Sequence, residues 1–185
     1  MVRKYYLDSN ILLAVSAGPG KEPNQFRMSM GVLDQIRRGE TIGVVSSLTL
    51  MEVITVLRVK KGREKSSLDS MRPDQQSEFV LRESKSMYDK LVTELMKLPN
   101  LKFEYGRRAD VYSVMRDALA ILHEIRGKVR PDGNSRFGGA GTVDVIHALL
   151  AKDMGCDELV TFDTGFEEMG GIDALESLKF RVLKW

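Results

Sequence analysis

Tyr5-Tyr6-Leu7-Asp8-Ser9-Asn10-Ile11-Leu12-Leu13-Ala14 is the stretch that decides how this chain folds. Its first three residues read as the end of a strand, and the apolar run after Asn10 reads as a helix, so Asp8 stands where one gives way to the other. A second strand, Glu158-Leu159-Val160-Thr161-Phe162, delivers Asp163 to a turn before Gly165 and Phe166. In open α/β sheets the carboxyl ends of the strands border the functional crevice. Acids from both ends of the sequence are therefore expected at one edge of a sheet, and a metal site is the natural use for them.

Outward from these two segments, strands are expected at Lys4–Leu7, Ile42–Val45, Leu101–Phe103, Glu158–Thr161 and Phe180–Leu183. Helical periodicity occupies Asn10–Ser16, Met28–Arg38, Leu48–Lys60, Gln75–Lys97, Arg108–Arg126 and Val143–Met154. The alternation predicts an α/β fold, and strands rich in Val, Ile, Leu and Phe predict a mainly parallel sheet covered on both faces. Polar segments punctuated by Gly and Pro, near 62–80 and 127–141, are expected to be inserted or extended loops. No repeat or composition shift divides the 185 residues, so a single domain over 1–185 is expected.

With 43% hydrophobic residues the chain can build a sizeable core, and a net charge of +2 confines any basic surface to local patches. The single cysteine, Cys156, excludes an internal disulfide framework and suits a reducing compartment. Arg3 and Lys4 before Ile11-Leu12-Leu13 imitate a secretory leader, but Asp8 and Asn10 interrupt the apolar stretch. Cytoplasmic residence is expected.

Glu52 is the only carboxylate between Glu40 and Glu64, and its helical neighbours Leu48 and Val56 are apolar. An ionised group on such a face needs a partner or a metal unless it reaches solvent at the rim. Asp144 follows Gly141-Thr142 in the first turn of a helix, with His147, Ala148 and Ala151 on its side. Helix capping accounts for Asp8, Asp144 or Asp163 taken singly. It accounts less well for all of them at equivalent sheet ends, and it leaves Glu52 unexplained.

No phosphate-binding loop of the Gly-x-x-x-x-Gly-Lys type is present, and Gly138-Gly139-Ala140-Gly141 matches no dinucleotide fingerprint. With His123, His147 and one cysteine, a zinc site of nitrogen and sulfur ligands is nearly excluded. His147 is expected to pack against the sheet in preference to ligating. Oxygen-only ligands select hard cations, Mg²⁺ or Mn²⁺, which suit phosphodiester hydrolysis.

Asp8 with Asn10, Glu52 after the second strand, Asp144 opening a late helix, and Thr161-Phe162-Asp163 with Phe166 together resemble the PIN domain family of metal-dependent ribonucleases, which includes VapC-like toxins. The resemblance spans nearly the whole chain. It implies a three-layer α/β/α fold around a sheet of about five strands. It also implies that Asp8, Glu52, Asp144 and Asp163 form the catalytic and metal-binding set, with Asn10 and Thr161 supporting it. The substrate implied is RNA, and relatives pair as homodimers or with a small antitoxin-like protein. This chain is longer than compact toxins of the family, the excess falling in Gly62–Lys97 and Gly127–Gly141, which leaves toxin identity open.

Local charge offers RNA contacts, since Arg58–Lys65 includes Lys60, Lys61 and Arg63 and Arg126–Arg136 is also cationic. The plain alternative is a solvated helix end favoured by the dipole. Two other activities fit parts of the pattern. A phosphatase using Asp8 as nucleophile would want a second acid where Asn10 stands, and a non-catalytic RNA-binding domain would have no need of the carboxylates.

Overall fold

The computed structural model describes residues 2–63, 71–105, 111–127 and 141–184. Among these residues five strands form one sheet: β1 (Arg3–Leu7), β2 (Thr41–Ser46), β3 (Leu101–Glu104), β4 (Glu158–Thr161) and β5 (Lys179–Val182). Their order is β3-β2-β1-β4-β5 and every neighbouring pair is parallel. The chain thus builds outward from β1 to β3 on one side, then crosses back to place β4 on the other. That reversal opens a crevice between the carboxyl ends of β1 and β4.

The helices are α1 (Ser9–Ala17), α2 (Pro23–Arg37), α3 (Ser47–Gly62), α4 (Pro73–Met96), α5 (Val111–Gly127) and α6 (Thr142–Asp153), followed by short 3-10 turns at Thr164–Met169 and Asp173–Leu175. Alternation along β1 sends Tyr5 and Leu7 to one face and Tyr6 to the other. The first face carries Val45 and Val160 and is covered by Ile11 and Leu12 of α1, Ile36 of α2, Val53 and Leu57 of α3, and Leu91 and Leu95 of α4. The second carries Val44 and Leu159 under Ile121 of α5, Val145, Ala148 and Leu149 of α6, and Phe166. The result is the expected three-layer α/β/α arrangement. Each fully buried Leu or Ile in these layers contributes about 1.5–3 kcal/mol.

Two glycines are required where α2 hands over to β2. Gly39, with φ of 73°, takes the left-handed conformation that ends the helix. At Gly43 a Cβ would lie 2.5 Å from Ile36 Cδ1 and 2.6 Å from Leu101 Cδ1, so its bare backbone lets α2 press onto the sheet.

The expected elements all occur, with shifted ends. Helix α2 starts five residues before Met28, because Pro23 is pre-set for the first helical turn while the polar Asn24 and Gln25 carry no apolar stripe to read. Helix α3 continues through Lys61 to Gly62, and α4 already begins at Pro73, so residues 73–80 of the expected 62–80 loop are helical. Residues 64–70, 106–110 and 128–140 lie outside the described residues, and with them most of the expected 127–141 loop and of the cationic Arg126–Arg136. Among the described residues, no helix is long and apolar enough to cross a membrane.

Candidate active site

The β1–β4 ladder continues one residue past β1, where Asp8 N donates to Val160 O at 3.1 Å, and this fixes Asp8 at the floor of the crevice. Its side chain is buried, and both carboxylate oxygens are engaged. Oδ1 accepts from Ser9 N at 2.6 Å, capping α1, while Oδ2 accepts from Asn10 Nδ2 at 2.7 Å and from Thr161 Oγ1 at 2.6 Å. Asn10 stitches the two strand ends together. Its Nδ2 also reaches Thr161 Oγ1 at 2.8 Å, and its Oδ1 accepts from Phe162 N at 3.1 Å. Burial pushes the Asp8 carboxyl above its ordinary range, helped by nearby Glu52. His147, where it is protonated, and the bonds from Thr161 and Ser9 oppose the rise.

Glu52 sits in the second turn of α3, which Ser46 caps by accepting from Thr49 N at 3.1 Å. Its side chain is 29% exposed, and Oε2 accepts from His147 Nε2 at 2.6 Å. Burial would raise its carboxyl, but the hydrogen bond from His147, the charge of that ring where it is protonated, and a bond from the Ser9 hydroxyl hold it below the usual value. Asp8, Glu52 and His147 each offer a ligand atom, all within 4.8 Å of one another.

Asp144 is the third residue of α6, and its Oδ2 reaches back to Gly141 N at 2.6 Å. Its carboxyl is pushed up by burial and by the charges of Asp163 and Glu52, against the Gly141 bond and His147. Asp163 is exposed. It accepts from Gly165 N at 2.7 Å, while its own amide donates to Thr161 Oγ1 at 2.9 Å. Three aspartates therefore do cap local amides; Asp8 and Asp144 also feel the charge of Glu52, and Asp144 that of Asp163, while the atoms within ligand-sharing distance are those of Asp8, Glu52 and His147. A cap and a ligand can be the same side chain.

Lys60, Lys61 and Arg63 lie at the far end of α3 from that cap. Eight residues of helix separate Glu52 from Lys60, roughly 12 Å at 1.5 Å per residue. Lys60 and Arg63 are exposed and Lys61 is half-buried.

Sequence reasoning missed the polar group behind Glu52. His147 is buried against the sheet as expected, but its ring is bonded at both nitrogens, Nε2 to Glu52 and Nδ1 to the Tyr6 hydroxyl at 2.6 Å. Tyr6 in turn meets Ser46 Oγ at 2.6 Å and Thr49 Oγ1 at 3.2 Å. The signal available was the spacing of His147 one turn after Asp144. Tyr6 looked like an ordinary strand residue, and Ser46 fell between the expected strand Ile42–Val45 and the helix from Leu48.

Burial and neighbouring acids push the Asp8 and Asp144 carboxyls up, which leaves this carboxylate-rich edge short of positive charge, and a hard divalent cation fits its oxygen donors. No curated protein matches the chain. The sequence profile of the PIN domain matches residues 5–172, a span that contains all four carboxylates, β4 and the carboxyl end of β1. PIN domains are metal-dependent nucleases, and this chain belongs to the PIN domain family.

Proposed function

We propose that this chain is a divalent-metal-dependent endoribonuclease in which Asp8, Glu52, Asp144 and Asp163 hold Mg²⁺ or Mn²⁺. The observation that carries the reading is the approach of Asp8 and Glu52 to within ligand-sharing distance at the switch point of a PIN fold. The ion, when bound, supplies Lewis acidity toward a phosphodiester and makes water nucleophilic near neutral pH.

The chain's own residues do the rest. Asn10 and Thr161 hold Asp8 in one orientation from both strand ends. His147 keeps Glu52 ionised, and Asp163 presents an exposed carboxylate. Helix α3 runs from Glu52 to the cationic end formed by Lys60, Lys61 and Arg63, so a phosphate chain lying along it meets both. A phosphatase role for Asp8 is disfavoured, because a buried carboxylate with both oxygens hydrogen-bonded is a poor nucleophile. The reading includes a reducing, cytoplasmic setting, supported by a sole cysteine that is buried and free.

Purified protein incubated with single-stranded RNA in Mg²⁺ or Mn²⁺ is expected to cleave it internally. Chelator and Asp8→Asn should each abolish cleavage, since each removes charge balance from the metal site. Cleavage that persists at full rate in the variant would refute the assignment.

A further inference from the structure

His147 is a buried imidazole beside the carboxylates, and favouring the ionised form of Glu52 does not by itself account for how its ring is held. Both ring nitrogens are occupied by protein groups. An ionised Glu52 can only accept, so His147 Nε2 carries the hydrogen of that bond and has no lone pair facing the crevice. In the neutral ring Nδ1 then accepts from the Tyr6 hydroxyl. Tyr6 can donate there because Ser46 Oγ, 2.6 Å away, and Thr49 Oγ1, 3.2 Å away, are placed to donate to its oxygen. Burial holds the phenol of Tyr6 in its protonated form. These side chains come from β1, from the end of β2, from α3 and from α6, so the relay ties the floor of the crevice to the helix that carries Glu52.

Resting on the metal-binding reading above, we propose that His147 is a positioning residue. It locks the Glu52 carboxylate toward the metal position through a Thr49/Ser46–Tyr6–His147 relay, and it is not itself a metal ligand. The physical basis is the usual effect of a hydrogen-bonded partner on a ligand: it fixes the ligand's orientation, and its loss weakens metal binding by about tenfold or more. Geometrically His147 could ligate, since its ring lies within 4.8 Å of both acids, but doing so would cost the Glu52 bond and the proton on Nε2.

The test has two independent readouts. In metal-free protein labelled with ¹⁵N-histidine, the two histidines give few enough signals for His147 to be assigned by its loss in His147→Gln. The expected result is a hydrogen on Nε2 that is retained when Mg²⁺ is added. Calorimetric Mn²⁺ titrations then compare the wild type with His147→Gln, whose amide nitrogen can still donate to Glu52, and with His147→Leu, which cannot. Tyr6→Phe removes the relay without touching the imidazole. Affinity should fall roughly tenfold or more in His147→Leu, be largely restored in His147→Gln, and fall by a smaller factor in Tyr6→Phe. Loss of the Nε2 hydrogen on adding metal, or equal weakening by Gln and Leu, would overturn the proposal in favour of ligation. Wild-type affinity in every variant would overturn it in favour of plain packing. Wild-type protein with no Mn²⁺ binding overturns the metal reading itself, and this proposal with it.

Discussion

Replacing Asp144 by Asn separates a shared metal site from a set of helix caps. The carboxylate accepts from Gly141 N at 2.6 Å, and the amide oxygen of Asn can accept in its place, so the cap survives. What the substitution removes is charge. Burial, Asp163 and Glu52 all push the Asp144 carboxyl above its ordinary 3.8, so ionised Asp144 is a strain on the metal-free fold at neutral pH. Each pKa unit corresponds to about 1.4 kcal/mol, and solvent screening of a half-exposed group cuts into this. Asp144→Asn should therefore stabilise the protein in chelator by on the order of 1 kcal/mol, or about 2–4 °C in melting temperature for a chain of this size. A folded-state pKa raised above the unfolded one favours folding below the unfolded value and loses that contribution as pH rises through the folded value. The advantage of Asn should accordingly be present at pH 7 and vanish as pH falls below about 4. Mn²⁺ at a hundredfold excess over its dissociation constant should stabilise the wild type by about 2.7 kcal/mol, and most of this should be missing in the variant. Thermal melts in chelator and in millimolar Mn²⁺, at pH 7 and pH 4, provide the measurement. Identical melting and identical metal response in both proteins would refute the shared site and leave Asp144 as a cap.

Further expectations concern the cationic helix end, the α2–sheet junction and the buried thiol. Changing Lys60, Lys61 and Arg63 together to Gln should weaken single-stranded RNA binding across sequences. It should also reduce the slope of log affinity against log salt by about 0.7 for each phosphate that is no longer neutralised, with Mn²⁺ affinity unchanged; an unaltered slope returns this helix end to a solvated face. Gly43→Ala should destabilise the fold by about 1–3 kcal/mol in urea titrations, because the new methyl meets Ile36 and Leu101 side chains at 2.5 and 2.6 Å. Equal midpoints would mean that α2 rides on the sheet more loosely than the geometry requires. Cys156, whose thiol burial pushes up to about 12, should resist a small thiol reagent at pH 8 in native protein and react at once in denaturant. Rapid native labelling would contradict its burial.

Strand and helix identity was legible along the chain because it depends on local pattern. The alternation of Tyr5, Tyr6 and Leu7, the apolar β4 segment and the helical spacing between them are properties of neighbours in sequence. Element ends were less legible wherever an end rests on a cap and not on a stripe, as at Pro23, or where a helix carries its polar face through Lys61 and Gly62.

The carboxylates themselves could be picked out from sequence, since Asp8 and Asp163 end strands and Glu52 interrupts an apolar helix face. Their company could not. Which side of β1 receives β4 is a matter of topology, and the order β3-β2-β1-β4-β5 is what brings Thr161 onto Asp8. The relay behind Glu52 goes further in the same direction. Tyr6, Ser46, Thr49 and His147 sit in ordinary local sequence, and their hydrogen bonds cross from one strand to another and to two helices. A side chain's polar tip finds its partner only after packing has buried both, because burial is what makes the unpaired alternative costly. That pairing is therefore settled by the tertiary structure alone.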